Sequence, residues 1–219
     1  MPRADISELR ARWERMRCAS GTGHECDEER DSMFARLVKA YSEPHRHYHT
    51  LDHVLACLFE FDRLPARASY LPTALAYAIW FHDAIYDPRR HDNEARSAEL
   101  ASDELAALQY PQAFRRMVRE LILATEHRPL HRMLHDQPLM IDIDLAIFGQ
   151  PDDVFDAYER AIRIEYAHVD ESTYRVARAA ILKRFLHRPR VYLTDWFAAR
   201  YGSKARENLR RSIRALTGR

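Results

Sequence analysis

The stretch Pro72-Thr-Ala-Leu-Ala-Tyr-Ala-Ile-Trp-Phe-His-Asp83, running on through Ala84-Ile-Tyr-Asp87, decides how this chain is read. Leu75, Ala78, Ile79 and His82 recur at i, i+3, i+4 and i+7, which is one face of a helix. Pro72 suits the first turn of such a helix, where its missing N–H costs nothing. The shared face belongs in a core, so His82 belongs there too, with Asp83 beside it as a half-buried carboxylate. Burying both without partners costs several kcal/mol. Two compensations are open at this point. One is a divalent cation, for which imidazole nitrogen and carboxylate oxygen are suitable ligands. The other is a His–Asp hydrogen-bonded pair that caps the helix.

Outward from this helix the same period recurs. Ile6, Leu9 and Trp13 share one side of a helix over residues 6–18. Phe34, Leu37, Val38 and Tyr41 form the stripe of a second, which opens at Asp27 and ends before Pro44. Further helices are expected over 49–63, 92–108, 111–127, 138–148, 152–168, 171–187 and 195–216, punctuated by Pro65, Pro111, Pro129, Pro138, Pro151 and Pro189. Residues 19–26, 86–92 and 128–138 read as loops. No strand-like alternation and no internal repeat competes with this pattern. Composition agrees, since 5 Gly against 30 Ala in 219 residues disfavours a turn-dense β sandwich or barrel. The expectation is an all-α, single-domain bundle over 1–219, with its chemical core at about 40–150 and accessory C-terminal helices over 151–219.

Charge narrows the function. Lys and Arg total 34 against 33 Asp and Glu, which removes the broad attraction that a nucleic-acid polymer or an anionic membrane surface would require. No stretch approaches the roughly 18 apolar residues of a membrane span. The opening MPRADISELRARWERMR has no apolar segment of the kind a secretory signal carries, so a soluble cytoplasmic protein is expected. Cys18, Cys26 and Cys57 form no CxxC pair and leave an odd thiol, which indicates neither a disulfide framework nor a zinc knuckle. Histidine is in excess, with nine of twelve between positions 45 and 135.

Two more clusters carry chemistry. In His45-Arg-His-Tyr-His-Thr-Leu-Asp-His53, His49 and His53 are four apart and face the same way on a helix, beside the stripe of Leu51, Val54, Leu55 and Leu58. The pair reads equally as a solvated helix start. In Leu139-Met-Ile-Asp-Ile-Asp-Leu-Ala146, Asp142 and Asp144 border opposite edges of the Ile141–Leu145–Phe148 stripe, so helical geometry does not choose between them.

The order His53, then His82-Asp83 29 residues later, then an Asp about 60 residues further on resembles the HD superfamily of metal-dependent phosphohydrolases. The likeness covers roughly residues 40–150. It looks closest to a bacterial subgroup of predicted HD phosphohydrolases, through Arg46-His-Tyr-His-Thr-Leu-Asp-His53, Trp80-Phe-His-Asp83, Asn93-Glu94 with Ser97-Ala98, and Asp142-Ile-Asp-Leu145. Tyr48-His49-Thr50-x-x-His53 is more distantly similar to a segment of the cyclic-nucleotide phosphodiesterases. So are Phe81-His82-Asp83 with Asn93, Ala124-Thr125-Glu126, and Asp144-Leu145-Ala146. Tyr86 stands where those enzymes keep a second His, and no counterpart of their purine clamp is found, so cyclic-nucleotide hydrolysis is not implied.

The resemblance implies an all-α HD-type bundle and a ligand set of His53, His82, Asp83 and Asp144 around a divalent ion (Mn, Mg, Fe, Ni or Zn). Its similarity to Asp-Leu-Ser favours Asp144 over Asp142. It makes Asp83 the residue that bridges to a second ion, and His49 the donor of a proton to the leaving oxygen. Arg46, Tyr86, Asn93, Glu94, His127 and Asp142 become candidates for substrate contact or for supporting the ligands, with Arg128, His131 and Arg163 as further ones. The implied function is hydrolysis of a phosphomonoester or phosphodiester of a nucleotide or other small molecule by a metal-activated water. Two other readings stay open: a non-catalytic nucleotide- or metal-binding regulatory module, and an HD-type di-iron oxygenase. The Arg-rich last helix (Arg200, Arg210, Arg211, Arg214) reads as a solvated face or as a homodimer contact.

Overall fold

The computed structural model describes residues 4–19, 27–127 and 133–218. Among these residues the fold is all helical, without strands. The α-helices are α1 (Ile6–Ala19), α2 (Asp27–Tyr41), α3 (Leu51–Asp62), α4 (Pro72–Phe81), α5 (Asn93–Ala107), α6 (Gln112–Leu123), α7 (Gln137–Asp144), α8 (Asp152–Glu165), α9 (Glu171–Leu186) and α10 (Asp195–Thr217). Short 3-10 turns follow α6 at Ala124–Glu126 and α7 at Leu145–Gly149. Cys26, Arg128, His131 and the Cys18 side chain lie outside the described residues. No described helix is long and apolar enough to cross a membrane.

Several expected helices are shorter than their periodicity suggests. The helix expected over 49–63 begins at Leu51, because the Thr50 N–H bonds back to the Tyr48 carbonyl (2.8 Å) and Thr50 takes an extended N-cap conformation. The helix over 111–127 tightens after Leu123 and stops at His127, whose φ of 54° leaves the right-handed region. The helix over 138–148 likewise tightens into the turn that starts at Leu145.

The chain divides into two compact units, Met1–Met140 and Ile141–Arg219, with the boundary inside α7 rather than in a linker. In the first unit α4 is buried on every side from Ala74 to Phe81, and α1, α3, α5 and α6 all pack on it. Its aromatic side chains knit that core: Trp80 meets Trp13 edge-on at 5.3 Å and Phe34 at 5.9 Å. Buried Asp136 holds the chain that enters α4, accepting from Ser69 Oγ (2.6 Å), Tyr70 N (2.7 Å) and Leu71 N (2.9 Å).

In the second unit α10 packs on α9 and on the Leu145–Gly149 turn. The approach requires glycine at 149, since a Cβ there would come within 2.4 Å of Tyr201 Cβ. Asn208, fully buried, donates to the carbonyls of Phe148 (2.9 Å) and Gln150 (2.8 Å), and Arg206 donates to Leu186, Arg188 and Pro189 carbonyls beyond the end of α9.

Candidate metal centre

His53 sits in the first turn of α3, and its side chain is only 2% exposed because it shares the face of Val54 and Cys57. His82 caps the C-terminal end of α4 and is completely buried. Its Nδ1–H donates to the Ile79 carbonyl at 2.9 Å, which turns Nε2 away from the helix. That Nε2 lies 3.0 Å from His53 Nε2. Asp83, in the turn that follows, places Oδ2 at 3.1 Å from His82 Nε2 and 3.6 Å from His53 Nε2. Three donor atoms therefore converge at 3.0–3.6 Å. This is the spacing of neighbouring ligands around one cation whose bonds are about 2.0–2.2 Å long. The donor set fits a divalent ion.

The charge on Asp83 follows from its neighbours. Burial alone would push its carboxyl up, but the charges of His82, His49 and His53 and the His82 hydrogen bond outweigh burial and hold it well below the usual carboxylate range. Asp83 also acts on its surroundings. Burial, reinforced by the Asp83 charge, keeps the Tyr41 phenol protonated.

A frame of side chains fixes the backbone that carries His82, Asp83 and Tyr86. Tyr41 Oη donates to the Trp80 carbonyl (3.0 Å) and accepts from Asp83 N (3.3 Å). Arg46 donates to the carbonyls of Asp83 (2.6 Å), Ala84 (3.0 Å) and His49 (3.1 Å), and pairs with Glu43 at 3.0 Å. Ser97 Oγ accepts from Ile85 N (3.0 Å). Asn93 both accepts from Asp87 N (3.1 Å) and donates to Asp87 O (2.9 Å), and His45 Nε2 donates to the Tyr86 carbonyl (2.8 Å). Few buried backbone groups of this turn are left to chance, which is how a short loop holds two ligands in register.

Of the two roles the sequence leaves open for Arg46, substrate contact and support of the ligands, its surroundings favour support. Its side chain is 0% exposed and its guanidinium is occupied by Glu43 and three carbonyls, so it braces the ligand loop instead of facing substrate. Asn93 has the same bracing role. His49 is not on α3 as the i,i+4 spacing suggests, but precedes it, half-buried. It still reaches the site, its ring stacked on Tyr86 at 4.1 Å, edge-on to Tyr48 at 5.1 Å and 6.1 Å from the His53 ring. Glu94 is half-buried on the first turn of α5. Burial and the charges of Asp83 and Glu126 push its carboxyl up, with His127 opposing. His127 ends the 3-10 turn after α6, half-buried.

The remaining candidates belong to the second unit. Asp142 is fully buried and both its oxygens are engaged, Oδ1 by Leu193 N and Oδ2 by Thr194 N and Oγ1, each at 2.7 Å. It anchors the chain that enters α10 and presents no oxygen to a substrate. Burial nonetheless dominates over these donors and pushes its carboxyl up to about 6. Asp144, the last residue of α7, is half-buried, and its charge adds to the burial that raises the Tyr158 phenol to about 12. Arg163, another sequence candidate, is engaged by Glu171 and by the carbonyls of Tyr166 and Val169.

One donor escaped the sequence reading. Cys57 is 2% exposed, and its Sγ lies 3.8 Å from both ring nitrogens of His53. The donor atoms of His53, Cys57 and His82 all fall within 4.8 Å of one another. The signal was present as His53-x-x-x-Cys57, one turn apart on one helix face, but a count of odd thiols does not register it. Tyr41, His45 and Ser97 were missed for another reason, since their roles are hydrogen bonds to backbone. Comparison with family profiles, with curated proteins and with solved structures finds no match to this chain.

Proposed function

We propose that this chain is a divalent-metal-dependent phosphohydrolase acting on a small phosphorylated molecule, with a nucleotide among the candidates. The observation that supports it is the convergence of His53 Nε2, His82 Nε2 and Asp83 Oδ2 at 3.0–3.6 Å in a buried site, with the half-buried imidazole of His49 beside them. A divalent cation held by these donors supplies Lewis acidity toward a phosphoryl oxygen and an attacking water. Asp83 stays ionised for ligation. His49 would deliver a proton to the leaving oxygen, its ring plane set by Tyr86 and Tyr48. Arg46 and Asn93 act through the main chain that positions Asp83. With Arg46 engaged by carbonyls and Glu94 close to the Asp83 charge, the surroundings favour a cation. Asp144 is proposed as a further ligand on the resemblance alone.

Metal analysis of the purified protein, followed by a phosphatase and phosphodiesterase screen with added Mn, Mg, Fe, Ni or Zn, tests the reading. Wild type is expected to retain metal and turn over a phosphoester, and Asp83→Ala to lose both. Equal metal content in the two overturns the ligand assignment. Metal without turnover of any ester favours the regulatory-module reading instead. His49→Ala is expected to keep its metal and to fail most on esters with poor leaving groups, because an activated leaving group needs no proton.

A further inference from the structure

Cys57 is a buried nucleophilic donor that the proposed reaction leaves unused. It lies one helical turn after His53 on α3, so backbone geometry alone keeps the thiol and that imidazole on one face. Its Sγ is 3.8 Å from His53 Nε2, and its separation from His82 Nε2 is within 4.8 Å. Around a tetrahedral zinc, with Zn–S near 2.3 Å and Zn–N near 2.0–2.1 Å, sulfur and nitrogen ligands stand about 3.6 Å apart. The helix fixes the nearness to His53, and the fold adds His82, so the thiol lies within ligand range of the two imidazoles that also converge on Asp83.

We infer that Cys57 is itself a ligand of the cation held by His53 and His82, and that the centre accordingly takes a thiophilic divalent ion, of the zinc and cobalt class, in preference to magnesium or manganese. The inference rests on the metal-binding reading above and goes beyond it by naming the class of ion. Thiolate and imidazole donors together select borderline and soft cations, whereas magnesium and manganese favour sites built from oxygen. Asp83 keeps one oxygen in the set. On ligation the Cys57 S–H bond gives up its proton to solvent as the S–metal bond forms, one proton for each ion bound.

Cobalt(II) is the probe, added to the purified full chain freed of metal. Wild type is expected to show both the visible ligand-field bands of bound cobalt and a sulfur-to-cobalt charge-transfer band in the near ultraviolet. Cys57→Ser and Cys57→Ala are expected to lose the ultraviolet band and keep the visible ones. Loss of a residue that merely supports a ligand costs about 10- to 100-fold in metal affinity. Zinc binding to Cys57→Ala is therefore expected to weaken by at least about 100-fold, with magnesium binding unchanged. Visible bands without the ultraviolet band in wild type overturn the role of Cys57 and leave the His53–His82–Asp83 assignment standing. No visible bands in wild type overturn both. The decisive spectrum is that of wild type, so the inference does not depend on the variants folding.

Discussion

His82 with Asp83 in the first unit and Asp142 in the other unit are the same kind of sequence feature, each a polar intrusion into an apolar helical run. Their surroundings divide them. Asp142 has both oxygens met by peptide N–H groups and a hydroxyl at 2.7 Å, all from residues 193 and 194. Asp83 offers Oδ2 to two imidazole nitrogens that themselves stand 3.0 Å apart. The first arrangement is complete in itself and ties down a helix entrance, as Asp136 does ahead of α4. The second gathers donors that favour a cation between them. Their carboxyl groups respond in opposite directions, with Asp83 held down by histidine charge and Asp142 pushed up by burial. A buried carboxylate is thus assigned by what faces its oxygens, not by how apolar its neighbours in sequence are.

The widest separation between the two is expected from alanine substitution. Asp83→Ala should lower the proposed phosphoester turnover by at least about 1,000-fold, equivalent to about 4 kcal/mol of transition-state stabilisation, and abolish metal binding. Asp142→Ala should do the reverse. It strands the Leu193 and Thr194 N–H groups and is expected to cost about 2–4 kcal/mol by urea denaturation, with metal per folded chain unchanged. A variant at 142 that folds normally but loses metal would erase the distinction.

The pH dependence sharpens the comparison on a smaller scale. Asp142 titrates higher in the folded chain than in the unfolded one, so its contribution is full below the ordinary carboxyl value and declines as pH rises through about 6. Stability of the metal-free protein should therefore carry a component that weakens between about pH 4 and pH 7, on the order of 1–3 kcal/mol. In Asp142→Asn that component should vanish, and an unaltered profile would refute the assignment. The smallest expected effect belongs to Arg46→Lys. Lysine keeps the charge but loses the fork to the Asp83 and Ala84 carbonyls, so zinc affinity should fall by about tenfold with the helical content intact.

Much of the helical frame was legible because its causes are local. The stripe at Leu75, Ala78 and Ile79, the proline at the start of α4, and the prolines at 65, 111, 151 and 189 act within a turn or two of themselves. The spacing of His53 and His82-Asp83 marked out donor atoms that the fold brings to 3.0–3.6 Å of one another. The place of His49 was legible only in part, since its nearness to His53 comes through Tyr48 and Tyr86 and not through a shared helix. Arg46 was legible only as a choice between substrate contact and support of the ligands. An arginine in a histidine-rich loop looks like a free cation until its carbonyl partners, 37 and 38 residues away, are known.

By itself the sequence determined where the helices lie and that His53, His82 and Asp83 sit on or beside apolar faces, because hydrophobic periodicity and proline act over a few residues. The tertiary structure alone decided which polar atoms meet. It turned Arg46 and Asn93 into braces, closed Asp142 onto residues 51 and 52 positions away, and set the sulfur of Cys57 and the oxygen of Asp83 beside the same imidazole. Hydrogen bonds and metal ligation need ångström placement of atoms far apart along the chain, and only packing supplies that.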